Sequence, residues 1–196
     1  MGMRLFLAVH LTDEIRANLA VAQARLKATG ADVRWVEPEN FHLTVKFLGD
    51  IEDDLLPDVE YNSEWTAGES TAFRFRVRGV SVFPRNGPEI KTLWAAVVEG
   101  GDSWRAVAEK AQEAFAPFGV PREGGLVPHI TLGRVKSDRS RDALRTAIEA
   151  EAETEFGTQD AHRLTLIQST LTPHGAIYKD IQSWDLNTSP FPNPLL

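Results

Sequence analysis

Phe41-His42-Leu43-Thr44-Val45-Lys46-Phe47-Leu48-Gly49 decides the reading of this chain, because its pattern returns at His129-Ile130-Thr131-Leu132-Gly133-Arg134-Val135. Each copy runs His, aliphatic, Thr, aliphatic, within a stretch rich in β-formers. Side chains alternate faces along a strand, so the His and Thr of each copy look the same way, about 6.5–7 Å apart at the root. Leu43, Val45 and Phe47, and in the second copy Ile130 and Leu132, are expected on the opposite face, in a core. Two strands, each offering one imidazole and one hydroxyl, make a symmetric site for a small tetrahedral anion.

Strict alternation sets Arg134 on the face opposite His129. A bend or bulge after Gly133 would be needed to bring its guanidinium to a bound phosphate. A neutral imidazole can take a proton from water while a second, as imidazolium, protonates a leaving oxygen. An unperturbed imidazole titrates near 6.5, so this pairing needs little tuning. Threonine hydroxyls can hold the oxygens of the phosphorus between them.

Working outward, residues 3–10 read as a strand, and Thr12 caps a helix with Asp13 and Glu14 in its first turn. Short strands come next at 32–36 and 40–48. Residues 50–71 carry scattered acids with Pro57 and Gly68, and suggest a loop or a short, poor helix. Phe73 to Arg78 alternates as a strand with a cationic face of Arg74, Arg76 and Arg78, which lines a phosphate-binding wall if it looks into the cleft and is otherwise a solvated or edge-protecting face. Phe83 to Pro88 is a turn, Ile90 to Val98 a strand buried on both faces, and 103–117 a helix. After the second motif a helix over 138–153 is expected, then a hairpin of 161–171 and 175–185 about Thr172-Pro173-His174-Gly175. The predicted class is α+β with mainly antiparallel sheets. The 87 residues between His42 and His129 suggest a duplicated lobe with a pseudo-twofold axis. One bilobal catalytic domain over 1–186 and a loose tail over 187–196 are expected.

Composition narrows the chemistry. The 196 residues include no cysteine, which removes thiolate ligands, cysteine nucleophiles and disulfides. The net charge of −7 argues against a protein that coats long nucleic acid, but leaves room for a phosphorylated ligand in a local basic pocket. No apolar run could span a bilayer and no signal peptide is read, so a cytoplasmic protein is expected. The histidines show no His-x-x-x-His spacing, and phosphate-loop and Gly-x-Ser-x-Gly patterns are absent, so no metal site or cofactor is expected. His10, His162 and His174 read as strand-end or turn residues.

The paired His-x-Thr strands resemble those of the 2H phosphoesterase superfamily, in its RNA 2′,3′-cyclic phosphodiesterase branch, also called 2′-5′ RNA ligase-like. Arg4 to Val9 resembles the opening strand of that family, Val80 to Pro84 with Leu93-Trp94 its central pair, and Gln168 to Tyr178 its closing hairpin. The resemblance implies a bilobal fold whose two antiparallel sheets face a central groove, helices outside. It implies metal-independent hydrolysis of RNA 2′,3′-cyclic phosphate ends to 2′-phosphates; separately, a monomer is expected. His42 would be the proton donor and His129 the acceptor, Thr44 and Thr131 would hold phosphate oxygens, and Arg134 would contact the phosphate. RNA ends or small cyclic nucleotides are the implied partners. The alternatives are 2′-5′ ligation, action on other cyclic or 2′-5′ linked nucleotides, or a non-catalytic module that binds RNA ends.

Overall fold

The computed structural model describes residues 2–85, 89–173 and 175–188. Its strands are β1 (Gly2–His10), β2 (Val33–Trp35), β3 (His42–Glu52), β4 (Phe73–Phe83), β5 (Thr92–Glu99), β6 (His129–Val135), β7 (Glu155–Ala161), β8 (Arg163–Thr172) and β9 (Gly175–Asp185). Its helices are α1 (Asp13–Lys27), α2 (Leu56–Gly68), α3 (Gly101–Phe115) and α4 (Arg141–Ala150). The strands form two antiparallel sheets, in the orders β3-β1-β8-β9 and β2-β6-β5-β4-β7. The α+β expectation is met. No helix of the described residues is long and apolar enough to cross a membrane.

The lobes are not the two halves of the chain. The His42 strand shares a sheet with the C-terminal hairpin, and β2 crosses into the sheet of His129. The helices interleave likewise: α1, which comes after β1, packs on β7, and α3, which comes after β5, packs on β3. One continuous core cluster joins residues of both sheets and all four helices.

Several elements arise from the sequence directly. Thr12 accepts the amide of Ile15, and Ile15, Leu19, Ala22 and Leu26 form the buried stripe of α1. Trp104, Val107, Ala108, Ala111 and Phe115 are the buried side of α3. Other expectations need correction. Residues 56–68 form a full helix, with Pro57 in its first turn, where a missing amide costs nothing. The buried face of this helix carries Ser63 and Thr66, which donate to the carbonyls of Val59 and Asn62. The helix expected over 138–153 ends at Ala150, and an unforeseen edge strand, β7, supplies partners for β4. There Asp160, Glu155 and Glu153 pair with Arg74, Arg76 and Arg78, so the cationic face is a surface ion-pair ladder and not a phosphate wall. Burial of β5 on both faces holds for Leu93 to Ala95 but fails at Val98, which is 48% exposed. The tail is tied at its first residue, where Asn187 bridges Thr71; residues 189–196, part of the expected turn at Phe83–Pro88, and His174 lie outside the described residues.

Candidate active site

His42 and His129 are the first residues of β3 and β6, and each is anchored in the same way. The Nδ1 of His42 donates to the carbonyl of Asn40 at 2.7 Å, and the Nδ1 of His129 to that of Val127 at 2.8 Å. In both cases the acceptor lies two residues upstream. A carbonyl can only accept, so the proton of each neutral imidazole sits on Nδ1 and Nε2 keeps its lone pair.

Aromatic rings hold both imidazoles. His42 lies 4.8 Å from the ring of Phe6 and meets the edge of Tyr178 at 5.3 Å between centroids. His129 meets Phe83 at 5.4 Å and Trp94 at 5.8 Å, and those two rings stack on each other at 4.6 Å. These apolar walls strip water from the rings and disfavour the charged form. Burial lowers the pKa of His42 to about 4, helped by the proximity of His10 and His129 and opposed by the Asn40 carbonyl. His129 is also lowered, mainly by burial and then by Arg134, against the Val127 carbonyl and the charge of Glu123. The two imidazoles are therefore not the unperturbed pair that the motif alone implied; both are neutral at pH 7.

Past each threonine the strands break step. In β3, Thr44 lies opposite Ala8 and Lys46 opposite Leu7, so Val45 has no counterpart in β1. In β6, Thr131 lies opposite Trp94 and Gly133 opposite Leu93, so Leu132 has none in β5. Each bulge falls three residues after the histidine, and each reverses the alternation beyond it. Arg134 is thereby returned to the exposed face with Thr131; the bulge that does this lies before Gly133, not after it. The same reversal corrects the place of Phe47. It was expected in the core, yet it is 47% exposed on the groove side, while Lys46 is 1% exposed and donates to the Pro121 carbonyl and Glu123.

His42, Thr44, Thr131 and Arg134 line one cavity of about 770 Å³. His129, packed on Phe83 and Trp94, is near enough to His42 to help lower its pKa. Arg4, Arg34 and Tyr178, not named as site residues from the sequence, line the same cavity, as does Phe47, which was expected in the core. Arg4 and Tyr178 sit in stretches that carry the family resemblance, but only the sheet pairing turns them toward one space. Such an arrangement offers two proton-accepting nitrogens, two hydroxyl donors and a cation around a tetrahedral anion.

Comparison with known proteins agrees with this geometry. Residues 9–94 match the family described as LigT-like phosphoesterase. The chain is 36% identical over 186 residues to an RNA 2′,3′-cyclic phosphodiesterase of Methanothermobacter thermautotrophicus, covering 95% of this chain and 100% of that one. It is 31% identical to the protein of the same name in Methanocaldococcus jannaschii, covering 93% and 100%. A crystal structure from Thermus thermophilus superposes with a TM-score of 0.79 at 28% identity, covering 96% and 100% of the two chains. With its paired His-x-Thr strands in two antiparallel sheets, this chain belongs to the LigT-like phosphoesterase family of the 2H superfamily.

Proposed function

We propose that the protein hydrolyses RNA 2′,3′-cyclic phosphate ends to 2′-phosphates, without a metal ion. The observation that carries this is the pair of His-x-Thr strands whose imidazoles keep Nε2 free, in a chain related throughout its length to proteins of that activity. His129 takes a proton from water as the water oxygen bonds to phosphorus. The bond from phosphorus to O3′ breaks on the opposite side, and His42 gives its Nε2 proton to O3′. Thr44 and Thr131 donate hydrogen bonds to the non-bridging oxygens, and Arg134 balances the charge that builds there. The products are a 2′-phosphate and a 3′-hydroxyl.

Because His42 is neutral in the free site, it becomes a donor only when substrate binds. The cyclic phosphate is an anion, and an anion beside an imidazole favours the protonated form. Ends of this kind arise wherever a ribose 2′-hydroxyl attacks its neighbouring phosphate. The setting proposed is therefore RNA processing in the cytoplasm, by a monomer whose catalytic unit is residues 1–186.

The test is turnover of 2′,3′-cyclic AMP and of cyclic-ended RNA in the presence of EDTA. His42→Ala and His129→Ala are each expected to lower kcat by about 10²-fold or more. Activity that survives either change would overturn the assignment.

A further inference from the structure

The two histidine anchors share a backbone pattern and differ in one side chain. The acceptor for each Nδ1 lies two residues upstream, at Asn40 for His42 and at Val127 for His129. Val127 has an apolar side chain and adds nothing to its carbonyl. Asn40 also carries an amide, and its Nδ2 donates to the carbonyl of Ala176 at 2.9 Å, 136 residues away in the chain. A carbonyl can only accept, so the amide nitrogen must be the group that faces it. Local sequence leaves the Asn40 carbonyl available to His42. Pro38–Asn40 forms a short 3₁₀ turn, with Pro38 in its first turn and the Asn40 backbone amide donating to the Glu37 carbonyl. The last carbonyls of such a turn find no amide inside it.

The bond to Ala176 joins strands that the sheet order keeps apart. β3 and β9 are the two edges of the order β3-β1-β8-β9. β1 pairs with β8 from Leu5 to Ala8, opposite Gln168 to Thr165, whereas β8 and β9 stay paired as far as Thr172 and Gly175. The end of this hairpin therefore reaches past its support on β1, to the cavity wall where Asn40, His42, Ala176 and Tyr178 all lie. Two contacts meet it there. Asn40 holds Ala176, and Tyr178, two residues further along β9, meets His42 edge-on. His42 thus sits in a closed circuit of contacts that begins and ends on Asn40. The circuit runs from the Asn40 carbonyl to Nδ1, from imidazole to Tyr178, along β9 to Ala176, and back to the Asn40 amide. Val127, with no side-chain donor, has no such return.

We propose that Asn40 is a positioning residue for His42: its amide clasps the β8–β9 hairpin while its carbonyl holds Nδ1, which keeps Nε2 aimed at the leaving oxygen. This rests on the phosphodiesterase reading and adds to it a residue that acts through His42. When the substrate anion brings a second proton to His42, the bond from Nδ1–H to the Asn40 carbonyl becomes charge-assisted and about twice as strong. A carbonyl fixed by the clasp therefore favours the proton-donating form, working against the burial that lowers the His42 pKa. Without the amide bond, the Asn40 carbonyl and the Tyr178 ring both loosen, and the neutral imidazole can move its proton to Nε2. In that tautomer Nε2 has no lone pair to take up the second proton, and a neutral ring is a far weaker acid than imidazolium.

The experiment uses Asn40→Leu, which keeps the size of the side chain and removes its donor, together with Asn40→Ala. On 2′,3′-cyclic AMP both are expected to lower kcat about tenfold with KM nearly unchanged, because the ring is misplaced while the contacts to substrate remain. Nitrogen NMR of the imidazoles, recorded well above their pKa values and assigned with His42→Gln and His129→Gln, gives a readout that a merely structural role would not move. In the wild type both rings are expected as Nδ1–H tautomers. In the two Asn40 variants His42 becomes a mixture of tautomers and His129 does not change. A wild-type kcat in both variants overturns the role, as does a His42 ring that stays wholly Nδ1–H. Equal changes at His129 overturn it too, since they mark a general loosening of the fold. The wild-type protein adds a test free of any substitution. A side-chain amide proton of Asn40 is expected to exchange slowly with solvent, and exchange at the rate of a free amide removes the clasp. If the wild type turns over no cyclic phosphate, the phosphodiesterase reading fails. The His42 tautomer in the variants then decides alone whether Asn40 positions the ring.

Discussion

At the scale of single residues, burial gives His42 a pKa of about 4 and leaves His129 below the usual imidazole value, which predicts a specific pH response. The profile of kcat/KM reports groups of the free enzyme, so its bell should be centred below pH 6.5, the unperturbed imidazole value, at about pH 4–6.5. The profile of kcat should extend to higher pH, because the bound phosphate anion favours imidazolium on His42. Steady-state rates from pH 4 to 9 check this, and coincident profiles would contradict it. The same burial links His42 to stability. Its pKa is lower folded than unfolded, so between 6.5 and about 4 the unfolded chain binds a proton that the folded chain refuses. The contribution of His42 is therefore complete above pH 6.5 and is lost as pH falls through about 4, an amount of about 3 kcal/mol. Urea titrations at pH 7 and pH 4 should show a smaller difference in His42→Gln than in the wild type.

At the scale of elements, the two motif strands work because they are imperfect. Gly133 sits just past the bulge in β6, where an added Cβ would lie 2.7 Å from Val33 Cγ1 and 3.0 Å from Trp35. Gly133→Ala should therefore push β2 from β6, cost about 1–3 kcal/mol in chemical denaturation and raise KM by displacing Arg134. The motifs themselves were legible because His, Thr and the aliphatic between them obey alternation within three residues. The residues beyond each threonine were not legible, since a bulge is a mismatch between two strands and only the partner reveals it. That is why Phe47 was read as core and Arg134 as facing away. Helix α2 escaped for another reason: its buried face carries hydroxyls satisfied by the carbonyls of the preceding turn, which leave no hydrophobic period. Strand β7 is polar and contains Gly157 at φ 130°, and its stability comes from Phe156 and from ion pairs with a distant strand.

At the scale of the whole molecule, the strand of His42 is tied to the approach to His129. Trp104 of α3 donates to the Thr44 carbonyl, and buried Lys46 donates to Pro121 and Glu123 in the segment leading to Val127. The two ends of this ion pair are unequal, since the Lys46 side chain is 1% exposed and that of Glu123 is 42% exposed. Glu123→Gln leaves a buried ammonium short of its anion and should cost about 1–3 kcal/mol, while Lys46→Met frees a carboxylate that water can reach and should cost less. Thermal unfolding of the two variants compares them, and the reverse order would refute the account. The matched bulges also have a consequence for direction. Phe47 and Arg134 each fall five residues after a histidine, so they occupy corresponding places in the two sheets. Two imidazoles and two hydroxyls related by a near-twofold axis would accept a phosphodiester in either sense, and either histidine could then begin the reaction. A benzyl group on one side and a guanidinium on the other remove that degeneracy. A difference of about 1.4 kcal/mol between the two senses is enough to seat ten substrates one way for every one reversed. On the proposed mechanism, a single mismatched pair of side chains would give a nearly symmetric framework one preferred seating of its substrate.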